Sequence, residues 1–168
     1  MDAFEEMYET CSQRVYLFLY KLCKSPDIAE ELTQETFYQA ILSFHRFQGK
    51  CDIFTWLASI AKHVYYKYLK KNRLGFDIIS IDLINDLWPD SIDGPEELIQ
   101  NSDVCNRVKH TLSKLPQKYR DVVILRIYAE MAFAQIGIAL GISENSAKVI
   151  FFRAKKMLAK ELCDEFDM

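Results

Sequence analysis

Residues 141–158, GISENSAKVIFFRAKKML, decide how this chain is read. A helix-turn-helix needs two helices that cross steeply, so a small residue must stand where they meet. It also needs a turn residue that tolerates positive φ a few positions later. Gly137 and Gly141 supply these two requirements. Ser143 is a natural N-cap for the second helix, and Ala147 and Ile150 give that helix an apolar face toward the first. On the opposite face Asn145, Lys148, Val149, Phe152, Arg153 and Lys156 recur at spacings of three to four. Lys148 and Arg153 have the reach and charge for guanine edges or phosphates in a major groove. Asn145, near the helix start beside Ser143, can approach a base or a phosphate. Val149 and Phe152 suit thymine methyls or the sugar backbone. This face is expected to bind duplex DNA.

Outward from this stretch the chain reads as helix almost throughout. Half of its 168 residues are hydrophobic, and only 5 Gly and 4 Pro interrupt it. An all-α fold is expected, with two small helical domains joined by a linker and the helix-turn-helix in the C-terminal one. In the first domain, residues 1–74, a stripe runs through Phe4, Met7, Tyr8, Cys11, Val15, Phe18, Leu19 and Leu22. Ser25-Pro26 then stops one helix and starts the next, which is expected to bury Ile28, Leu32, Phe37, Ile41 and Phe44. After Gly49 a third helix places Phe54, Leu57, Ala58, Ala61, Tyr65 and Tyr68 on one side, with Trp56 also expected in the core. Residues 75–103 read as an acidic linker, with a short helix at 95–101. In the last domain, 104–168, four helices are expected. The first carries Val104, Val108, Leu112 and Leu115, and the second Tyr119, Val122, Val123 and Ile127.

Charge is segregated along the chain. Residues 76–103 contain no Lys or Arg but hold Asp77, Asp82, Asp86, Asp90, Asp93, Glu96, Glu97 and Asp103. Residues 104–160 hold eleven Lys and Arg against Asp121, Glu130 and Glu144. The overall pI near 5.7 therefore hides a basic segment suited to nucleic acid. Cys11, Cys23, Cys51, Cys105 and Cys163 form no CxxC pair and are odd in number, which points to reduced thiols. No apolar run approaches the roughly 20 residues of a membrane span, and the acidic opening MDAFEEMYET is unlike a secretion signal. A cytoplasmic protein with no membrane contact of its own is expected. His45, His63 and His110 are scattered, and no phosphate loop, HExxH or nucleophile elbow is present. Neither catalytic residues nor a metal or cofactor is expected.

Two segments together carry a family resemblance. LPQKYRDVVILRIYAEMAFAQIGIALGISENSAKVIFFRAKKML resembles the promoter-reading C-terminal domain of bacterial sigma factors of the extracytoplasmic-function group. SPDIAEELTQETFYQAILSFHRFQGKCDIFTWLASIAKHVYYKYLKK resembles the N-terminal domain of the same family. The resemblance implies a protein that binds core RNA polymerase and directs it to promoters. The C-terminal domain would read the minus-35 element as duplex. The N-terminal domain would melt the minus-10 element and hold it as single strand. An anti-sigma factor is implied as a further partner.

The resemblance also assigns residues. Asp27, Glu30, Glu31, Leu32, Gln34, Glu35 and Phe37 match the polymerase-binding helix. Gly49, Lys50, Cys51 and Asp52 match the loop that pockets a flipped minus-10 base. Lys62, His63, Tyr66, Lys67, Lys70 and Lys71 interleave charge with rings, which suits a single strand because phosphates and base faces alternate. Departures are visible. Lys62-His63 stands where the family commonly has Arg-Asn, and Ile53 where it has Phe. Val149-Ile150 replaces a frequent Ser-Arg, and Ala132 a frequent Ser or Thr cap. A dimeric helix-turn-helix regulator would account for residues 117–160. It would leave the acidic second helix and the basic, aromatic third helix without a purpose.

Overall fold

A computed structural model describes residues 2–74, His110 and 114–166, with side chains to Lys160 except at position 158. The expected linker, and all of the expected first C-terminal helix except His110, Lys114 and Leu115, lie outside the described residues. The described elements are helical: α1 (Ala3–Cys23), α2 (Pro26–Ser43), a 3-10 turn (Phe44–Arg46), α3 (Ile53–Lys71), α4 (Gln117–Val123), a π-helical turn (Ile124–Tyr128), α5 (Phe133–Leu140) and α6 (Glu144–Phe166).

Capping explains the first three boundaries. The Asp2 carboxylate accepts from the N–H of Phe4 at the start of α1. Ser25 Oγ accepts from Ile28 N–H, with Pro26 in the first turn of α2. Asp52 Oδ1 accepts from Thr55 N–H at 2.8 Å to open α3. α1 buries Met7, Cys11, Val15, Phe18, Leu19 and Leu22, a 3–4 spaced stripe as expected. α2 differs from expectation. It buries Ala29, Leu32, Thr33, Thr36, Phe37 and Ala40, while Ile41 is 51% exposed. The true stripe uses small residues and threonines, whose hydroxyls donate to Ala29 O and Leu32 O one turn back and so need no other partner. Trp56 is half-buried against Phe44 and Phe47, at ring distances of 6.1 and 5.1 Å.

The C-terminal segment departs most in α4 and its continuation. The expected amphipathic stripe becomes an almost unbroken buried run from Asp121 to Ala129, relieved only at half-buried Arg126. The helix widens here: Ala129 N–H donates to Ile124 O, five residues back. A helix buried all round must be covered on several sides. The π-helical turn packs against α1 and α5, and α4 packs against α6. Buried residues of the N-terminal and C-terminal helices thus form one continuous core.

The helix-turn-helix has the expected joint. Gly141 takes φ 69°, and both it and Ile142 donate their N–H to Gly137 O. A Cβ built on Gly137 would stand 2.7 Å from Ile142 O and 3.2 Å from Glu144 N. These are backbone atoms, so they cannot move aside as a flexible side chain does. Gly137→Ala is therefore expected to destabilise the fold by about 1–3 kcal/mol, measured by urea denaturation. An unchanged midpoint would refute this close crossing.

Candidate nucleic-acid interface

Ser143 starts α6 by accepting from Ser146 N–H at 3.0 Å. From that cap Asn145, Lys148, Val149, Phe152, Arg153 and Lys156 are all exposed, while Ala147, Ile150, Phe151 and Ala154 are buried. The structure therefore brings the whole expected set onto one open face. Phe152 is 57% exposed, and its ring approaches Phe133 and Phe151 at 6.5 and 5.8 Å. Lys148 Nζ lies 3.6 Å from Glu144, an exposed pair one turn apart. Such a pair holds the ammonium only weakly. Arg126 stacks over Phe133 at 4.2 Å and donates to Met131 O, which fixes the entry to α5. Nothing local to Arg126 in the sequence signals that brace.

The N-terminal set is distributed differently. Gly49, Lys50, Asp52, His63, Lys67 and Lys70 are exposed, and Cys51 is half-buried. Burial, then Asp52, pushes the Cys51 thiol up from its ordinary value, which favours the thiol over the thiolate. Partial desolvation, then the Lys62 ammonium, lowers His63, with Asp121 opposing. The imidazole is thereby favoured neutral at pH 7.

Lys62 and Tyr66 require a correction. Lys62 was expected on the basic surface, but it is 2% exposed. Its Nζ lies 3.3 Å from Asp121 Oδ2 in α4. Tyr66 is half-buried, and its hydroxyl donates to Asp121 Oδ1. Burial, then Asp121, raises the Tyr66 phenol far above its ordinary range, so it acts as a donor. The reason is tertiary: α4 supplies a carboxylate to this face of α3. In the sequence Asp121 is one of three acids in a basic segment. Its apolar neighbours Val122 and Val123 were the available sign of burial.

On α2 the set also divides. Asp27, Glu30, Glu31, Gln34 and Glu35 are exposed. Leu32 and Phe37, matched to the polymerase-binding helix but also expected on its buried stripe, are buried and fix α2 to the bundle. Phe37 packs edge-on to Phe4 and Tyr8. The outward apolar groups of α2 are Tyr38, Ile41 and Leu42 instead, continuing its acidic face toward the C-terminus. Among the described residues no group of three His, Cys, Asp or Glu is placed to hold a metal ion, and no helix is long and apolar enough to cross a membrane.

Structurally this is an all-helical protein of two packed units, one of them a helix-turn-helix. Residues 7–74 match Sigma-70 region 2, and residues 105–158 match Sigma-70, region 4. The chain belongs to the sigma-70 family, in its extracytoplasmic-function group. It is 29% identical over 154 residues to the ECF RNA polymerase sigma factor SigM of Bacillus subtilis, covering 92% of this chain and 91% of that one. It is also 29% identical over 168 residues to the ECF RNA polymerase sigma factor SigX of the same organism, covering 96% and 84%. Its fold is similar to the sigma factor RpoE in complex with the anti-sigma factor NepR from Bartonella quintana. The TM-score there is 0.56 at 18% identity, over 96% of this chain and 98% of that one.

Proposed function

We propose that this protein binds core RNA polymerase in the cytoplasm and directs promoter-specific transcription initiation, with the polymerase supplying the chemistry. In this reading residues 1–74 dock on the polymerase and hold the melted minus-10 strand. Residues 75–103 are the tether, and residues 104–168 read the minus-35 duplex. The observation that carries it is the open face of α6, where Lys148, Arg153 and Lys156 flank Val149 and Phe152 behind a helix-turn-helix joint. Cations that reach phosphates or guanine edges, beside apolar groups that reach methyls, are what a major-groove helix needs.

The exposed carboxylates of α2, followed by Tyr38, Ile41 and Leu42, support docking on a basic partner surface with an apolar centre. The relatives named as RNA polymerase sigma factors support polymerase as that partner. The structural relative bound to an anti-sigma factor supports an inhibitor of that kind here. At the minus-10 strand the accessible residues are Gly49, Lys50, Cys51, Asp52, His63, Lys67 and Lys70. Lys62 and Tyr66 join them only when Asp121 releases them.

Run-off transcription with purified core polymerase on a promoter library tests the proposal. Defined start sites that depend on this chain are expected, and random initiation would remove the assignment. Glu31→Lys reverses an exposed charge on the docking face. It is expected to weaken core binding by roughly five- to tenfold, corresponding to about 1 kcal/mol or slightly more, while helicity is retained. Undiminished pull-down of core enzyme would take α2 out of the interface.

A further inference from the structure

We propose that Lys62, Tyr66 and Asp121 form a latch that holds the two helical units closed over α3. The consequence for nucleic acid rests on the strand-binding reading of α3. Lys62 and Tyr66 stand four residues apart on one face of α3 and engage the two different oxygens of Asp121. Lys62 is 2% exposed and Asp121 9%, so both charges are largely withdrawn from water while the seam is shut. Two further polar contacts cross the same seam at exposed positions. Gln135 Nε2 at the start of α5 donates to Asp52 Oδ2, and Lys21 Nζ near the end of α1 lies 3.4 Å from Glu130. Of the three, only the contact centred on Asp121 is shut away from water.

That burial makes it a switch. A desolvated ion pair is tolerated only while both partners are present, because a lone buried charge has lost its hydration without replacement. When the units part, water solvates Lys62 and Asp121 separately, and that penalty vanishes. The closed state therefore depends on the pair far more than the open state does. The groups that hold the seam are also the cation and ring that a nucleic-acid strand would use. Strand and Asp121 compete for Lys62, so strand binding and opening are linked and each favours the other.

Asp121→Asn keeps the shape and an acceptor for Tyr66 but strands the Lys62 ammonium. It is expected to shift the closed-to-open ratio on the order of a hundredfold toward open. Small-angle scattering of the free full-length chain reads this as a larger radius of gyration, with helicity by circular dichroism unchanged. Binding of a fluorescein-labelled mixed-sequence DNA single strand should tighten by up to the same factor, in proportion to the open fraction gained. Lys62→Met also removes the pair and should open the chain, but it should not tighten strand binding, because the cation is gone. The combined Lys62→Met, Asp121→Leu variant replaces the pair with apolar groups and should remain compact. It tests the latch even if the single variants fold poorly. Scattering from both single variants that matches wild type would overturn the latch, as would a combined variant as open as Asp121→Asn. Opening with no gain in strand affinity for Asp121→Asn would support the latch and remove α3 as the strand site.

Discussion

Replacing Ile124 with alanine is expected to lower the stability of the whole chain by about 2–5 kcal/mol, and to do so in a single calorimetric transition. Ile124 is fully buried. It opens the π-helical turn, which packs against α1 from the N-terminal unit and α5 from the C-terminal one. Removing its side-chain carbons leaves a void that neither unit can fill alone. For a domain of this size each kcal/mol moves the melting midpoint by about 2–4 °C. Because buried residues of both units form one core, loss at Ile124 should lower the melting of α1–α3 as well as α4–α6. A first transition left at its wild-type temperature, with only a second one displaced, would show that the units melt independently.

How much of this was legible in the sequence depended on how local each feature is. The α1 stripe and the Ser25-Pro26 boundary follow from spacing and cap chemistry within a few residues. So do the joint at Gly137 and Gly141 and the open face of α6. The α2 stripe was only partly readable, since Thr33 and Thr36 satisfy their hydroxyls within the helix and pass as core residues despite being polar. The widening at Ile124–Tyr128 left no periodic trace, because a segment covered on several sides shows apolar residues at every step. The partnership on Asp121 was out of reach for a different reason. Tyr66 and Asp121 lie 55 positions apart, and a basic-aromatic helix reads the same whether its cations face solvent or a distant carboxylate. The site residues that were misplaced, Lys62 and Tyr66, are therefore those whose surroundings another element decides.

The α6 face, by contrast, depends on no distant partner, and this gives the second large effect. Lys148→Ala together with Arg153→Ala is expected to weaken binding to a duplex selected from a random pool by roughly two orders of magnitude or more. Each lost base or phosphate contact costs about 1–3 kcal/mol. Lys148 gives up only an exposed pair with Glu144 at 3.6 Å, worth about 0.3–0.5 kcal/mol in a helix. Both side chains point away from the buried stripe of Ala147, Ile150, Phe151 and Ala154. Folding should thus be nearly unaffected, and lost affinity can be assigned to the interface. The two contributions should add closely if the side chains have separate DNA partners. Salt dependence then separates the kinds of contact. If both side chains neutralise phosphates, the slope of log affinity against log salt should flatten by about two. If one reads a guanine edge, the single variant should lose preference at one base position while still binding other sequences as before. A doubly substituted protein that binds the selected duplex as tightly as wild type, at every salt concentration, would take α6 out of promoter recognition.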